Sequence, residues 1–413
     1  MPPLTDDRTL VQHTGWAYFP IAFVARLPFA MMVVGVLTLV VSVTGSVALG
    51  GLTSAAVGAG VVVAGPLVGD AVDRHGQRTV LVPIGLLNGV LLALFPVVVF
   101  ARMPEGMLLA TALLIGMTAP QAAAMSRSRL IVIIRDRIDP ARRPRTFSTT
   151  MSYESAADET AFVIGPFIVG VLASFVAPWA PIAVAAALSF VFVTAFALHP
   201  TGVVATSDES EAAARAPFRA VLRPGVLVLV AATFGVGMFF GAALTSLTAF
   251  MGERGDSSQA GLLYGLMGIG SAALALAVAA LPVRFALRWR WLVFAAVLAA
   301  AALAYATASD TAGVVLMLLL MGLGVGPTLV TLFSIAGARS PEGRSATTMM
   351  LLGSALTLAQ ALASAFTGAV AESVSVQAAM LVPGVAGVFV LLLGVVNAAF
   401  ERRAHARRVH AHA

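Results

Sequence analysis

GPLVGDAVDRHGQRTVL, residues 65–81, is a charged island between two long apolar runs. Within it Gly69, Asp73, Arg74, Gly76 and Arg78 fall at the spacing G-x-x-x-D-R-x-G-x-R. In a water-soluble chain this string is a weak turn signal. Between two runs of membrane-spanning length it reads as a short charged loop. What surrounds it therefore decides the fold.

The surroundings are strongly apolar. The chain has 413 residues, 59% hydrophobic and 11% charged, with mean hydropathy +0.96. A soluble domain needs more polar cover than that over its surface, so lipid is the expected solvent. The net charge of +6 would suggest nucleic acid in a soluble protein. Here the placement of the charges accounts for it, and no nucleic-acid partner is expected. With no cysteine, disulfides, thiolate metal sites and thiol catalysis are excluded.

A spanning helix needs about 20 apolar residues at about 1.5 Å rise. Twelve such runs are expected, near 17–43, 46–70, 80–100, 106–127, 147–176, 181–199, 225–251, 259–282, 291–308, 311–337, 345–371 and 374–400. The polar start, with Asp6, Asp7 and Arg8, does not resemble a cleavable signal peptide, and the first run is expected to act as an uncleaved insertion signal. With the N-terminus in the cytoplasm, Arg74, Arg78, the cluster from Arg127 to Arg145, Arg284, Arg288, Arg290, Arg339, Arg344 and Arg402 to Arg408 all fall on the inner side. Only Arg102 and Arg254 fall outside. This arginine bias predicts a multi-pass protein of the plasma (inner) membrane with both termini cytoplasmic. Trp16, Trp179, Trp289 and Trp291 all lie near run ends, where an aromatic belt is expected.

The longest interruption, residues 200–224, is rich in Ser, Glu and Ala and then turns basic. Arg215, Arg219 and Arg223 recur every four residues, which suggests a short helix on the inner leaflet, with a solvated linker as the alternative. The expected organisation is a six-helix bundle over 1–199, a cytoplasmic linker over 200–224, a second bundle over 225–400 and a basic tail over 401–413. PVRFALRWRWLVF, between runs 8 and 9, is the second-half counterpart of the opening stretch, with the Gly and Asp lost.

The spacing at 69–78 resembles the loop between helices 2 and 3 of the major facilitator superfamily of secondary transporters. The chain departs from that pattern at Gln77, where the family usually carries a basic residue. The resemblance implies an all-α membrane protein with the major facilitator fold, twelve transmembrane helices in two six-helix bundles, working by alternating access. It also implies that Asp73 meets the N-terminus of the eleventh helix, near Ser345 to Thr348, when a cytoplasmic gate is closed. Gly69, Asp73, Arg74, Gly76 and Arg78 are thus gating residues, with Arg74 and Arg78 facing headgroups or loop carboxylates. In the fifth run, Gly165, Pro166 and Gly170 partly match a motif of the antiporter branches, although Ala161 and Val169 replace two of its glycines. Pro removes a backbone hydrogen bond and Gly thins a helix, so these are candidate bending positions.

Ionisable groups inside a membrane are costly, so they are candidates for function. They are Arg26 in the first run and Glu154, Asp158 and Glu159 in the fifth, with Asp70 at the edge of the second. Glu154 and Asp158 share a helix face. Arg26 and Asp158 sit at similar depths, and an Arg–acid pair would lower the burial cost of both. One reading makes Asp158 or Glu159 a proton-coupling site; the other makes the cluster a fixed packing network. Glu154 lies nearer the cytoplasm and within reach of Arg127 or Arg129. The second half adds no midplane charge. Phe239 and Gln360 there, with Asn88 and Gln121 in the first half, are candidate cavity residues among Met- and Phe-rich walls.

The function expected is proton-coupled efflux of small lipophilic compounds by a monomer, with no cofactor, no metal and no catalytic site. The alternatives are uptake, sugar or metabolite efflux, a polytopic membrane enzyme, and a non-transporting scaffold. His405, His410 and His412 are read as part of a disordered basic tail, not as metal ligands.

Overall fold

The computed structural model describes residues 8–44, 47–204, 216–254, 260–282 and 285–411. These form α-helices joined by short turns, with no strand among the described residues. In chain order they are α1 Leu10–Thr14, α2 Tyr18–Val24, α3 Leu27–Thr44, α4 Val47–His75, α5 Gln77–Phe100, α6 Glu105–Met117, α7 Ala122–Arg137, α8 Arg143–Phe175, α9 Ala180–Leu188, α10 Thr194–Leu198 and α11 Thr201–Val204. After the linker come α12 Pro224–Gly252, α13 Ala260–Ala277, α14 Leu287–Tyr305, α15 Thr311–Arg339, α16 Ser345–Ser373 and α17 Val376–Ala411.

Eleven helical segments among the described residues are long and apolar enough to cross a membrane. The eighth expected run contributes only the shorter apolar stretch Leu263–Ala277, just after the undescribed residues 255–259.

In the sixth expected run α9 passes into α10 through a π-helical turn, Ser189–Val193; two other runs are broken, and proline explains both breaks. The first run splits into α2 and α3 at Ala25 and Arg26. Pro28 has no N–H to return to Val24, so the ladder cannot continue. The Arg26 amide bonds Phe23 at 3.1 Å instead, which releases the Ala22 carbonyl. The fourth run splits at residues 118–121, where Pro120 has the same effect. The Ala119 amide turns to Gly116, at 3.1 Å, and releases the Ile115 carbonyl. After this break the helix does not end at residue 127. It continues as α7 to Arg137. Arg127 and Arg129, expected on the inner surface, are therefore buried, with exposures of 4% and 0%.

Contacts divide the chain into two units. The first contains residues 1–150, 157–218 and 341–354; the second contains 151–156, 219–340 and 355–413. In the first, α3, α4, α5, α6 and α9 enclose a core around Met31, Met32, Leu39, Leu92, Phe95 and Ile182. A Cβ on Gly116 would lie 1.9 Å from the Val57 carbonyl oxygen, so α4 and α6 touch through backbone. In the second, α14 packs on α15 and α17, α12 on α17, and α13 on α15.

Several local expectations change. Residues 218–222 form one turn of 3₁₀ helix with Ala220 and Val221 buried, not an amphipathic α-helix; Arg215 lies outside the described residues. Trp16, Trp179 and Trp289 are exposed, but Trp291 is fully buried and its indole N–H donates to Val390 at 3.2 Å. The tail is helical, because α17 runs on to Ala411; His412 lies outside the described residues.

Candidate functional site

Arg26 stands in the break between α2 and α3. Its Nη1 donates to the carbonyl of Ala22 at 2.6 Å, which replaces the bond lost from the ladder. Its Nε donates to Asp158 Oδ1 on α8 at 2.7 Å. The second Asp158 oxygen, Oδ2, pairs with Nη2 of Arg127 from α7 at 2.5 Å. Asp158 thus bridges two guanidiniums that are 3% and 5% exposed at the side chain, while its own is 16% exposed. An ion buried without a counter-charge would cost several kcal/mol, or about 3–5 kcal/mol when one partner of a pair is removed. The α2–α3 break, α7 and α8 are thereby joined by charge. Glu154 is fully buried one turn earlier on α8. The side chain of Glu159 lies outside the described residues.

Among the described residues Arg129 takes no acid; its partners are neutral. Its Nε donates to Gln77 Oε1 at 3.0 Å, and its Nη1 donates to the Phe196 carbonyl and to Thr201 Oγ1, each at 3.1 Å. The Phe196 ring lies 4.1 Å from the guanidinium carbon. Gln77 is 3% exposed, and its amide also donates to Met125 O and Ser128 Oγ. The departure at Gln77 now has a cause: a basic side chain there would meet Arg129. His199, beyond the end of its span, contacts Thr201 Oγ1 through Nδ1 at 2.9 Å. Burial and then the Arg129 charge hold its imidazole below the usual histidine range.

The 69–78 segment closes α4 and opens α5. Gly76 has φ +84°, a left-handed conformation that glycine adopts without strain, and this lets two long helices meet in a one-residue turn. A Cβ on Gly69 would lie 2.8 Å from the Thr347 Cα, so α4 crosses the start of α16 in backbone contact. Asp73 accepts the Ala346 amide at 3.0 Å and the Thr347 amide at 2.7 Å, and also the Thr347 hydroxyl. A carboxylate thus caps the positive end of α16. Asp70 pairs with Arg74 at 2.8 Å and with Arg344, just before α16. Arg344 is buried, and its Nε donates to the Ala216 carbonyl at 2.7 Å. Arg78 is exposed. The Asp70–Arg344 pair is absent from the sequence expectations, since its partners are 274 residues apart.

The remaining candidates do not gather at one point within either unit. Asn88 is fully buried, and its amide donates to the Ile115 carbonyl at 3.0 Å, the group released by the Pro120 break. Gln121 is buried beside Gly65 and Gly353. In the other unit, Phe239 is buried with its ring 5.6 Å from that of Phe240, and Gln360 is half-buried. A Cβ on Gly165 would meet Ala30 at 2.7 Å, Gly170 faces open space, and α8 runs through Pro166 as one helix. Among the described residues no group of His, Asp and Glu converges as a metal site.

An all-α, multi-pass membrane protein with two contact units and charges buried in its interior belongs to the class of polytopic membrane transport proteins. The family model of the Major Facilitator Superfamily matches residues 18–364, and the chain belongs to that family. No curated protein matches the sequence. Among solved structures, the human organic anion transporter MFSD10 (TETRAN) is similar at TM-score 0.70 and 18% identity, over 94% of this chain and all of that one. A bacterial homologue of the iron transporter ferroportin, in its outward-facing state, is similar at TM-score 0.72 and 15% identity, over 92% and 98%. The transporter FucP in its outward conformation is similar at TM-score 0.66 and 14% identity, over 92% and 98%. At these identities the likeness is one of fold. Membership of the family makes the protein a membrane-embedded transporter of small molecules.

Proposed function

We propose that the protein is a proton-coupled secondary transporter that exports small lipophilic compounds by alternating access. The Arg26–Asp158–Arg127 triad carries this reading. A proton arriving at Asp158 competes with two guanidiniums for the same two oxygens. A cycle that draws Arg127 or Arg26 aside in one state opens an oxygen to the proton, and its return expels the proton. Glu154 and Glu159 are further acceptors on the same helix. The apolar, Met- and Phe-rich walls support a lipophilic cargo. The cap of α16 by Asp73 supports a gate that opens when that contact breaks, and the family pattern at 69–78 supports the same role. Pro166, flanked by Gly165 and Gly170, is the candidate point of bending. The arginine bias supports a plasma-membrane protein with cytoplasmic termini; two six-helix bundles joined by residues 200–224 and a monomeric working unit complete the proposal.

A second reading is favoured by one feature of the triad, the meeting of two guanidiniums at Asp158. An organic anion could take Arg127 when Asp158 is released, as would suit a protein folded like the organic anion transporter above.

The test is transport in proteoliposomes with an imposed pH gradient, using matched lipophilic cations, neutral compounds and anions. Gradient-driven transport should fall at least tenfold in Asp158→Asn, while exchange of labelled for unlabelled cargo without a gradient persists. Full proton-driven transport in both Asp158→Asn and Glu159→Gln would remove the coupling assignment, and the cargo that responds decides between the two readings.

A further inference from the structure

The start of α14 and the end of α15, both in the second unit, enclose a surface pocket of about 270 Å³ lined by Ala286, Leu287, Arg288, Ile335, Ala338 and Arg339. Its two arginines are used differently from their neighbour Arg290. Arg290 is buried and donates to the carbonyls of Phe285, Leu281 and Pro282 at 2.7, 3.4 and 3.2 Å, so it ties down the preceding turn. Arg288, two residues earlier, is about 200° away around the helix and cannot share that task. Its Nε is buried with no hydrogen-bond partner, and its guanidinium carbon lies 5.9 Å from the Trp289 ring. Arg339 reaches the Gly225 carbonyl through Nη1 at 3.1 Å.

The backbone adds to the positive field. Ala286 is the N-cap of α14 and supplies no side-chain acceptor, so the first amides of that helix lack a side-chain cap. A cavity with two guanidiniums, a buried unpartnered N–H and an uncapped helix start is built for an anion with several acceptor oxygens. Trp289 is 44% exposed beside it, the position of an indole at headgroup depth.

We propose that this pocket binds an anionic phosphate-bearing group, the headgroup of an acidic phospholipid or free phosphate, clamped by Arg288 and Arg339 against the N-terminus of α14. The site is independent of the triad and of the cargo, and it ties lipid composition to the packing of α14 against α15.

The experiment uses the purified full-length chain in phosphate-free detergent. Binding of dioctanoyl phosphatidylglycerol, dioctanoyl phosphatidylcholine and inorganic phosphate is followed by native mass spectrometry. Phosphatidylglycerol should bind at least tenfold more tightly than phosphatidylcholine, and Arg288→Ala should weaken it at least tenfold. Ala286→Asp gives the cleaner variant. Aspartate is a favoured N-cap that should stabilise α14 while placing a carboxylate at the mouth of the pocket, so it should abolish binding in a well-folded protein. Arg219→Ala, an exposed arginine of the same unit away from the pocket, should leave binding unchanged. Inorganic phosphate bound as tightly as phosphatidylglycerol, with the same residue dependence, assigns the site to soluble phosphate. Undiminished binding in Ala286→Asp, or an Arg219→Ala loss equal to that of Arg288→Ala, overturns the proposal.

Discussion

At the scale of single residues, the buried charges follow one rule: each is placed where a broken helix or a neighbouring polar group repays part of its desolvation. Arg26 takes the carbonyl that the Pro28 break releases, as Asn88 does for the Pro120 break. Gln77 faces Arg129 with its carbonyl oxygen, and this defines a first prediction. Gln77→Arg sets two guanidiniums face to face in a buried site and breaks three hydrogen bonds. It should cost at least about 2 kcal/mol. Gln77→Glu loses two donors but gains an ion pair, so thermal midpoints should run Gln, then Glu, then Arg. An arginine variant as stable as the parent would remove Gln77 from the Arg129 cluster. A second prediction concerns His199. Burial and Arg129 depress its folded pKa, so as pH falls the unfolded chain takes up the proton first. Stability from this group is therefore complete above the ordinary histidine pKa of about 6.5 and declines as pH falls from there toward the lower folded value. Melting in detergent between pH 8 and pH 5 should show this decline in the parent and a smaller one in His199→Gln. Equal slopes would place the titration elsewhere.

At the scale of elements, the α4–α5 turn and the start of α16 form one joint. Gly69 admits the crossing, Gly76 makes the turn, and Asp73 caps the helix that crosses. A cap of this kind contributes about 0.5–2 kcal/mol. Asp73→Ala should therefore raise hydrogen exchange at the Ala346 and Thr347 amides by roughly tenfold, the factor that about 1.4 kcal/mol represents. Exchange should change little at the middle of α5. Protection that stays the same at both amides would mean that the carboxylate does not hold this helix end. Much of this joint was legible through the family resemblance that the glycine and aspartate spacing carries, which implied the contact of Asp73 with the start of α16. The helix spans were legible too, since about 20 apolar residues in a row have few other outcomes. The breaks at residues 25–26 and 118–121 were not, because hydropathy counts a proline's polarity and ignores its missing N–H. The fourth run was cut short at Arg127 for a different reason. Arginine reads as a surface signal until its partner is known, and Asp158 is 31 residues further along the chain. Trp291 shows the same limit: an indole near a run end reads as an interface anchor, and only the Val390 carbonyl reveals it as a packing residue.

At the scale of the whole molecule, the balance of solvents decides the architecture. Phe167, Phe175, Leu67 and Val385 are more than half exposed on helices of spanning length, which is tolerable only against lipid. The arginines then set the orientation, and the lack of cysteine makes this directly testable. Single cysteines at exposed turn positions can be read against a silent background. Met103 lies between α5 and α6, and Ala141 between α7 and α8, so one broken span, α6 with α7, separates them. In the second unit, Ala286 precedes α14 and Ser309 follows it. With cytoplasmic termini, Met103→Cys and Ser309→Cys should react with a membrane-impermeant maleimide on intact cells. Ala141→Cys and Ala286→Cys should react only after the cells are permeabilised. The reverse pattern at all four would invert the orientation and move the pocket of Arg288 and Arg339 to the outer leaflet. Met103 and Ala141 on one side would mean that α6 and α7 do not cross the membrane, and a triad that includes Arg127 would then lie outside lipid altogether.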